Sequence, residues 1–492
     1  MTISSKSIAN AERPRLFVGG RWSEPSGGTR ADVLNPATSE VAGVAAFAAP
    51  SDVDAAVAAA SASFASGVWS RAAPAERARV LRAAADILEA HLDELAHLMT
   101  SEMGVLLSYA QRVHIPNPIR TLRYYADYAE KFEYEEHRHD GTNGSLVSRE
   151  PVGVVGAVTP WNGPLSNPVM KLAPALASGC SVVLKPAPDT PLSAYALAEA
   201  LAWAGLPEGV LSVVPGGRDI GELVVTDPRV DKVAFTGSTA VGRRVMALCA
   251  ERVARVTLEL GGKSAAIVLP DADLGQLVPG LLPMSFMLSG QACIAQTRVL
   301  VPSAREAEVV EALAAAYSAQ RVGDPLDPGT DLGPLINEAQ RDRVESYVET
   351  GKAEGARVVV GGRRPVFGST LDNGWFAAPT LLAGVRNSMR VASEEIFGPV
   401  VSVITYGSEE EAVAMANDSV YGLSGSVWSA DAERALAVAR RIRTGMVSVN
   451  GHPQAFGSPL GGFKQSGLGR ELGPEGFAAY LEPRSIAVGP AA

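Results

Sequence analysis

Between residues 151 and 268 the chain alternates short, unbroken apolar runs with longer segments of helical spacing. The runs are VGVVGAV (152–158), SVVL (181–184), VLSVVP (210–215), DKVAF (231–235) and SAAIVL (264–269). Between them lie segments such as PLSAYALAEALAWAG (191–205). Runs without polar alternation suit strands covered on both faces, and the intervening helices supply the crossovers of a parallel sheet. An α/β fold is therefore predicted, with its ligand site at the carboxyl ends of the strands. The alternation resumes beyond residue 260. There ERALAVARRIRTG (433–445) predicts a helix closing at Gly445, and MVSVN (446–450) predicts a strand.

The flanking patterns differ. RLFVGGRW (15–22) places a Gly19-Gly20 turn between apolar pairs and predicts a hairpin, and DVLNPAT (32–38) predicts a strand closed by Pro36. PSDVDAAVAAASASF (50–64) predicts a helix capped by Ser51, with Asp54 three residues on. From Pro74, the residues Leu81, Ala84, Leu88, Leu92, Leu95 and Met99 step by three or four, which predicts one long helix ending at Gly104. Residues 131–150, KFEYEEHRHDGTNGSLVSRE, alternate apolar and charged positions around Asn143-Gly144. This predicts a projecting hairpin poor in core residues, which is marginal alone and must lean on something else. The tail segment AAYLEPRSIAV (478–488) has similar strand character, so both are expected at an oligomer interface.

Bulk properties narrow the partners. A length of 492 residues predicts two to four domains. A net charge of −10 argues against general affinity for nucleic acid or anionic membranes. The N-terminal MTISSKSIANAERPR lacks the apolar core of a signal peptide, and no apolar run reaches membrane-spanning length. Cys180, Cys249 and Cys293 are too few and too scattered for a disulfide framework or a zinc site. Together these predict a cytoplasmic protein. The densest histidine cluster, EEHRHD (135–140), reads as a solvated charged strand, and no metal site is predicted.

Four features carry candidate chemistry. Cys293 sits in SGQACIAQTR (289–298), among small, turn-prone neighbours that are unusual around a structural thiol. KVAFTGSTAVG (232–242) runs from a strand into a helix, where Gly237, Ser238 and Gly242 suit a diphosphate at a helix N-terminus. Lys185 directly follows a buried strand, at the expected ligand edge. Glu259 lies within the apolar VTLELGG (256–262), where burial would raise its pKa toward that of a general base. Each has a plainer alternative: a core thiol, a tight turn, a snorkelling surface lysine, or an edge-strand glutamate facing water.

Taken together, the chain resembles the aldehyde dehydrogenase superfamily, from LFVGGRW to YLEPRSI. The motifs PWNGP (160–164), LKPAPDTP (184–191), FTGSTAVG (235–242), LELGGKS (258–264), GQACIAQTR (290–298), EEIFGPV (394–400) and PLGGFKQSGLGRE (459–471) follow in the family's order. The resemblance implies a Rossmann-type parallel-sheet cofactor domain (1–130 and 149–259), an α/β catalytic domain (260–470), and an oligomerisation arm and tail (131–148 and 471–492). It implies a homodimer or homotetramer. It implies Cys293 as nucleophile with a locally lowered pKa, Glu259 as the base that activates water, and Asn162 with the Cys293 N–H as oxyanion donors. Glu395 would bind the ribose beside the nicotinamide, Phe397 would pack by that ring, and Trp161 would lie near the cofactor track or substrate channel. Gly237, Ser238 and Gly242 would serve the diphosphate and Lys185 the adenosine ribose. The small residues Gly290 and Ala292 are expected to leave room for substrate and nicotinamide. Glu259 favours hydrolysis to a free acid over transfer to coenzyme A. The alternative is a catalytically silent cofactor-binding protein on the same fold.

Three positions depart from the commonest family pattern. Pro188 stands where a ribose-binding glutamate is frequent, so NAD is expected with NADP open. Gly163 and Leu460 stand where aromatics are frequent, implying an altered pocket. Segments 114–120, 284–290 and 451–457 are expected to line it. They are mainly apolar, which favours an uncharged aliphatic or aromatic aldehyde, with Arg120 the one residue favouring a dicarboxylic semialdehyde.

Overall fold

A computed structural model describes residues 7–489. Residues 1–6, part of the segment expected to lack a signal peptide, and 490–492 of the expected tail lie outside the described residues. Two large sheets organise the chain. In the first, the strands run in the order Gly467–Leu468, Arg255–Glu259, Lys232–Thr236, Val154–Val158, Ser181–Lys185, Leu211–Val213, Leu16–Val18, Arg21–Ser23. The central five are parallel, and the outer ones are antiparallel additions. Along Val154–Val158, neighbours alternate between two apolar clusters, Val155 and Ala157 on one face and Val154 and Val158 on the other. That is why the sequence reads as an unbroken apolar run.

Among the five parallel strands, Val154–Val158 is first in chain order and central. The next two strands are added on one side of it, and the following two on the other. The order therefore reverses between Val154–Val158 and Lys232–Thr236, which opens a crevice at their carboxyl ends. The loops leaving these strands carry Trp161 and Asn162 from one, and Gly237 and Ser238 from the other.

The second sheet runs Arg357–Val360, Thr380–Ala383, Val400–Tyr406, Gln296–Pro302, Ser264–Val268, Gly425–Trp428, Ser448–Val449. All neighbours are parallel except the first pair. It too is covered on both faces, with Ala265 and Ile267 facing one cluster and Ala266 and Val268 the other. Residues 260–263 pass directly from the last parallel strand of the first sheet into this one. A third sheet has three antiparallel strands, Leu481–Val488, Gly144–Pro151 and Glu135–His139. The 131–150 hairpin and the tail strand thus support each other in one sheet. Its outer strand is mostly exposed, with Arg138 paired to Glu136.

Several local expectations shift. The helix Pro50–Ser66 is capped at Ala49, not Ser51. Pro50 presets the first helical residue, and the Asp52 carboxylate accepts the Ala49 N–H at 2.8 Å. The expected single helix from Pro74 is two, Pro74–Ala90 and Leu92–Met103, meeting at His91. Both bury their apolar faces in the same cluster, so the periodicity runs on across the break. Gly104 ends the second helix with φ +76°, a left-handed cap. The helix expected to close at Gly445 stops earlier, at Ala439.

Candidate active site

The sequence-predicted residues converge where the two sheets meet. Glu259 ends a strand at the carboxyl edge of the first sheet. Cys293 precedes the strand Gln296–Pro302, and Glu395 and Phe397 precede Val400–Tyr406, both at the amino edge of the second. Lys185 and the 237–238 turn lie at the carboxyl edge of the first sheet.

Glycines let these segments close together. A Cβ on Gly262 would collide with the Cys293 carbonyl oxygen, and one on Gly261 with the Glu395 carboxylate. A Cβ on Gly461 would stand 2.7 Å from Glu259 Oε1. Gly290, with φ +77°, makes room for the backbone of Gly398, so the expectation that it clears space for substrate is corrected: its space is filled by the chain itself. Gly242 likewise accommodates Leu260 beneath the helix Thr239–Ala250, a packing role rather than an open approach. Ser238 caps that helix by accepting the Val241 N–H at 3.4 Å, leaving its hydroxyl proton free to donate.

Asn162 is held from two sides. Its side-chain amide donates to the Gln291 carbonyl at 2.9 Å, and its carbonyl oxygen accepts from Asn167 Nδ2 at 3.2 Å. Gln291 is itself fixed, its oxygen accepting the Ile336 N–H at 3.0 Å and its amide donating to the Leu288 carbonyl at 2.9 Å. One amide hydrogen of Asn162 therefore remains for a third partner. Gly163 has a related reason: a Cβ there would stand 2.8 Å from Asn167 Nδ2, so a bulky residue would dislodge the group that orients Asn162.

Glu259 is buried, which removes the edge-strand alternative, and neither carboxylate oxygen has a hydrogen-bond partner among the described residues. Burial first, then the nearby Glu471 charge, push its pKa up to about 9, against the opposing pull of Lys171 and Arg470. Lys171 and Glu471 form a buried ion pair at 2.5 Å, and Lys171 also donates to Thr236 Oγ1 at 2.5 Å. Glu471 Oε2, like both oxygens of Glu259, has no hydrogen-bond partner among the described residues, and such buried unpaired oxygens are costly.

Cys293 is half-buried. Burial, then the charges of Glu395 and Glu259, push the thiol up to about 12, while the N–H groups of Cys293 and Ile294 pull it down. The expected lowering of its pKa is thus not met in the protein alone. Cys180 and Cys249 are buried in the core, as expected of bystanders.

Glu395 Oε1 accepts the Gly262 N–H at 3.0 Å. Phe397 adopts φ +65°, a strained conformation for a bulky residue. It is held there by Gln340, which donates to its carbonyl at 2.8 Å, while Arg343 donates to the Glu395 carbonyl at 2.5 Å. The Phe397 ring meets Trp161 edge to face at 5.4 Å. Lys185 is buried, not snorkelling, and burial lowers its pKa to about 8 against the charges of Asp189 and Asp219. Asp189 accepts from Asn337 at 2.9 Å.

Of the three segments expected to line the pocket, 114–120 and 451–457 meet: the Arg120 guanidinium lies over the Phe456 ring at 4.2 Å. Residues of segment 284–290 (Phe286 to Ser289) border a cavity together with residues between 103 and 112. Asn167, Lys171, Glu471, Gln340 and Arg343 were not singled out in the sequence. Asn167 reaches Asn162 over 5 residues, but Lys171 and Glu471 are 300 residues apart, and only the long-range fold brings them together.

The sequence matches the Aldehyde dehydrogenase family over residues 22–486. It is 48% identical to geranial dehydrogenase of Castellaniella defragrans, over 96% of this chain and 98% of that one. A crystal structure of Mycobacterium tuberculosis aldehyde dehydrogenase with NAD+ superposes with a TM-score of 0.94 at 48% identity, covering 97% and 98% of the two chains. A cysteine-to-alanine mutant of Pseudomonas syringae aldehyde dehydrogenase C, with NAD+ and octanal, superposes with a TM-score of 0.92 at 41% identity, covering 96% of each. These matches show that the chain belongs to the aldehyde dehydrogenase family.

Proposed function

We propose that this protein oxidises an apolar, uncharged aldehyde to the free carboxylic acid, with NAD+ as cofactor. The observation that carries the proposal is the packing of the Cys293 loop against Gly262, three residues beyond the buried and unpartnered Glu259, with Asn162 hydrogen-bonded to the same loop. The thiolate of Cys293 attacks the aldehyde carbon, and the carbonyl electron pair moves onto oxygen. The free amide hydrogen of Asn162 and the Cys293 N–H hold that oxyanion. Bound NAD+ supplies the acceptor for the hydride that leaves when the oxyanion collapses. A thioester remains on Cys293. Glu259, once ionised, takes a proton from water, the resulting hydroxide adds to the thioester carbonyl, and the acid departs as the thiolate is restored.

The residues fit such a cofactor. The crevice at the strand-order reversal receives the N-terminus of the helix Thr239–Ala250, which favours a diphosphate near Gly237 and Ser238. Gly242 contributes by seating that helix. Lys185 would bond the adenosine ribose, Glu395 the nicotinamide ribose, and Phe397 with Trp161 would flank the ring. Pro188 removes one carboxylate, but Asp189 and Asp219 still act on Lys185. A 2′-phosphate would face both, which favours NAD over NADP. An apolar substrate is supported by the engagement of Arg120 with Phe456, by a relative named geranial dehydrogenase, and by a structural neighbour that holds octanal.

We place the cofactor domain at 1–130 and 149–259, the catalytic domain at 260–470, and an oligomerisation arm and tail at 131–148 and 471–492. This assigns the exposed three-stranded sheet to contact with a second copy in a homodimer or homotetramer. Among the described residues no helix is long and apolar enough to cross a membrane, and a cytoplasmic location is part of the same proposal. The test is an aldehyde panel run separately with NAD+ and NADP+. Apolar aldehydes with NAD+ should give the highest kcat/KM, and Cys293→Ala should abolish turnover while retaining NAD+ binding. Glu259→Gln should accumulate an acyl adduct visible by intact-mass spectrometry. Preference for a semialdehyde would overturn the substrate class. NAD+ binding without turnover of any aldehyde would favour the silent alternative.

A further inference from the structure

A cavity of about 530 Å³ lies beside the catalytic loop but does not include Cys293, Asn162 or Glu259 in its walls. Met103, Leu106 and Tyr109 line one side, and Leu282, Phe286 and Met287 the other. The only ionisable side chains on it besides Tyr109 are Arg112 and Asp331. Asp331 is engaged, accepting the Arg321 N–H at 2.9 Å. The Arg112 guanidinium donates only to the Ser108 carbonyl at 3.0 Å, and among the described residues it faces no carboxylate within ion-pair distance. The cavity therefore pairs an apolar side, Met103, Leu106, Leu282, Phe286 and Met287, with a polar side that carries Ser108, Gln320 and Thr330, and the exposed Arg112 stands at it as an uncommitted cation. That combination fits a chain with a carboxylate head.

The cavity wall is also the mount of the catalytic loop. Leu288 (φ 54°, ψ 40°) and Ser289 (φ 58°, ψ 37°) are consecutive non-glycine residues in the left-handed region, and Gly290 continues it at φ +77°. Such a run is strained and persists only where its surroundings hold it. Ser289 Oγ donates to the Gly333 carbonyl at 2.8 Å, and Gln291 bridges Leu288 to the Ile336 N–H. The Gln291 carbonyl then holds the oxyanion donor Asn162 at 2.9 Å. A ligand pressing on Leu288 thus acts on Asn162 through a single residue.

We propose that this cavity is a second binding site for a medium-chain carboxylate, the chemical class of the reaction's own apolar product. Its occupancy lowers turnover by displacing Gln291 and with it Asn162. Binding at the site stands apart from the proposed reaction, and only its effect on turnover rests on that reading.

The first arm is calorimetry with decanoate, decanol and acetate on the full-length Cys293→Ala protein. One decanoate per chain is expected, with decanol at least tenfold weaker and acetate silent. Arg112→Ala should weaken decanoate about tenfold, the loss of one hydrogen bond to a charged group. Leu106→Trp, which fills the apolar side, should abolish it. Decanoate binding unchanged by both substitutions, or absent at millimolar concentration, would overturn the site. The second arm measures initial rates with a short aldehyde such as propanal. Decanoate should lower kcat at saturating propanal in the otherwise unchanged enzyme, and Leu106→Trp should lose that effect while keeping basal kcat/KM. Purely competitive inhibition would place decanoate in the substrate channel and overturn the coupling. If the protein turned over no aldehyde, the calorimetry would still decide the site.

Discussion

The high pKa of Cys293 makes a quantitative prediction about its reactivity without cofactor. The thiol stands at about 12, against an ordinary value of 9.0. At pH 8 an ordinary thiol is about 10% thiolate, and one at about 12 is about 0.01%, a thousandfold less. The more basic thiolate is the better nucleophile. With a Brønsted coefficient of roughly 0.4–0.5, three orders of basicity recover about 15- to 30-fold. The net expectation is a reaction roughly 30- to 60-fold slower than a free thiol toward a small disulfide probe. The assay is the absorbance of released pyridinethione from 2,2′-dithiodipyridine, with intact mass confirming one label at Cys293. Between pH 7 and 10 the log rate should climb one unit per pH unit without a plateau. A plateau below pH 9, or a rate equal to that of free cysteine, would refute the reasoning.

The causes can be separated by substitution. Glu395 is the larger of the two charge contributions, followed by Glu259. Removing a like charge lowers the thiol's pKa, so Glu395→Gln should react faster than wild type at pH 8, whereas Glu259→Gln should gain little there, because Glu259, held near 9, is mostly protonated. Saturating NAD+ should raise the wild-type rate at least tenfold, because a cation placed near a thiol favours its thiolate. No response to NAD+ would mean that the thiol is activated by something other than charge.

Other consequences follow from the buried groups. Because Glu259 is held near 9, thioester hydrolysis should rise with pH through the range 8 to 9. Glu471→Gln should move that limb to lower pH and Lys171→Met to higher pH, as read from kcat–pH profiles. Lys171→Met also strands Glu471 and should cost about 3–5 kcal/mol in urea unfolding, with much of the loss recovered in Lys171→Met/Glu471→Leu; a loss under about 1 kcal/mol would count against the pair. Asn167→Ala should lower kcat about tenfold by freeing the Asn162 amide, less than the 10²–10³-fold typical of deleting an oxyanion donor outright. Gly262→Ala should leave the fold intact by circular dichroism but cut kcat/KM about 100-fold, because the Cys293 loop must shift to admit the Cβ.

What the sequence disclosed followed from periodicity and from local chemistry. Strands buried on both faces announce themselves as apolar runs, so the α/β class and most strand positions were legible. The arm hairpin was legible from its turn, but its pairing with the tail was not, because strand partners more than 300 residues apart leave no local mark. The break at His91 was invisible because both helices bury the same face. Cys293, Glu259 and Asn162 stood out by residue type in motifs. The groups that tune them did not: Lys171 reads as one more lysine on a helix, and only the fold buries it against Glu471.

The glycines show most clearly where residue type misled. A glycine beside a nucleophile reads as space for a ligand, and Gly290 and Gly242 were read that way. In the folded chain both spaces are filled by protein, by Gly398 in one case and Leu260 in the other. Gly261, Gly262 and Gly461 obey the same rule, admitting Glu395, the Cys293 loop and Glu259. The active site of this chain is therefore assembled by close approach of segments from two sheets, each too tightly set to accept a Cβ. That arrangement accounts for the raised thiol: the close approach that brings Glu259, Glu395 and Asn162 to the Cys293 loop also packs protein and two carboxyl groups around Cys293. On the proposed mechanism, charge arriving with NAD+ supplies the reactivity, which would tie activation of Cys293 to the presence of the hydride acceptor.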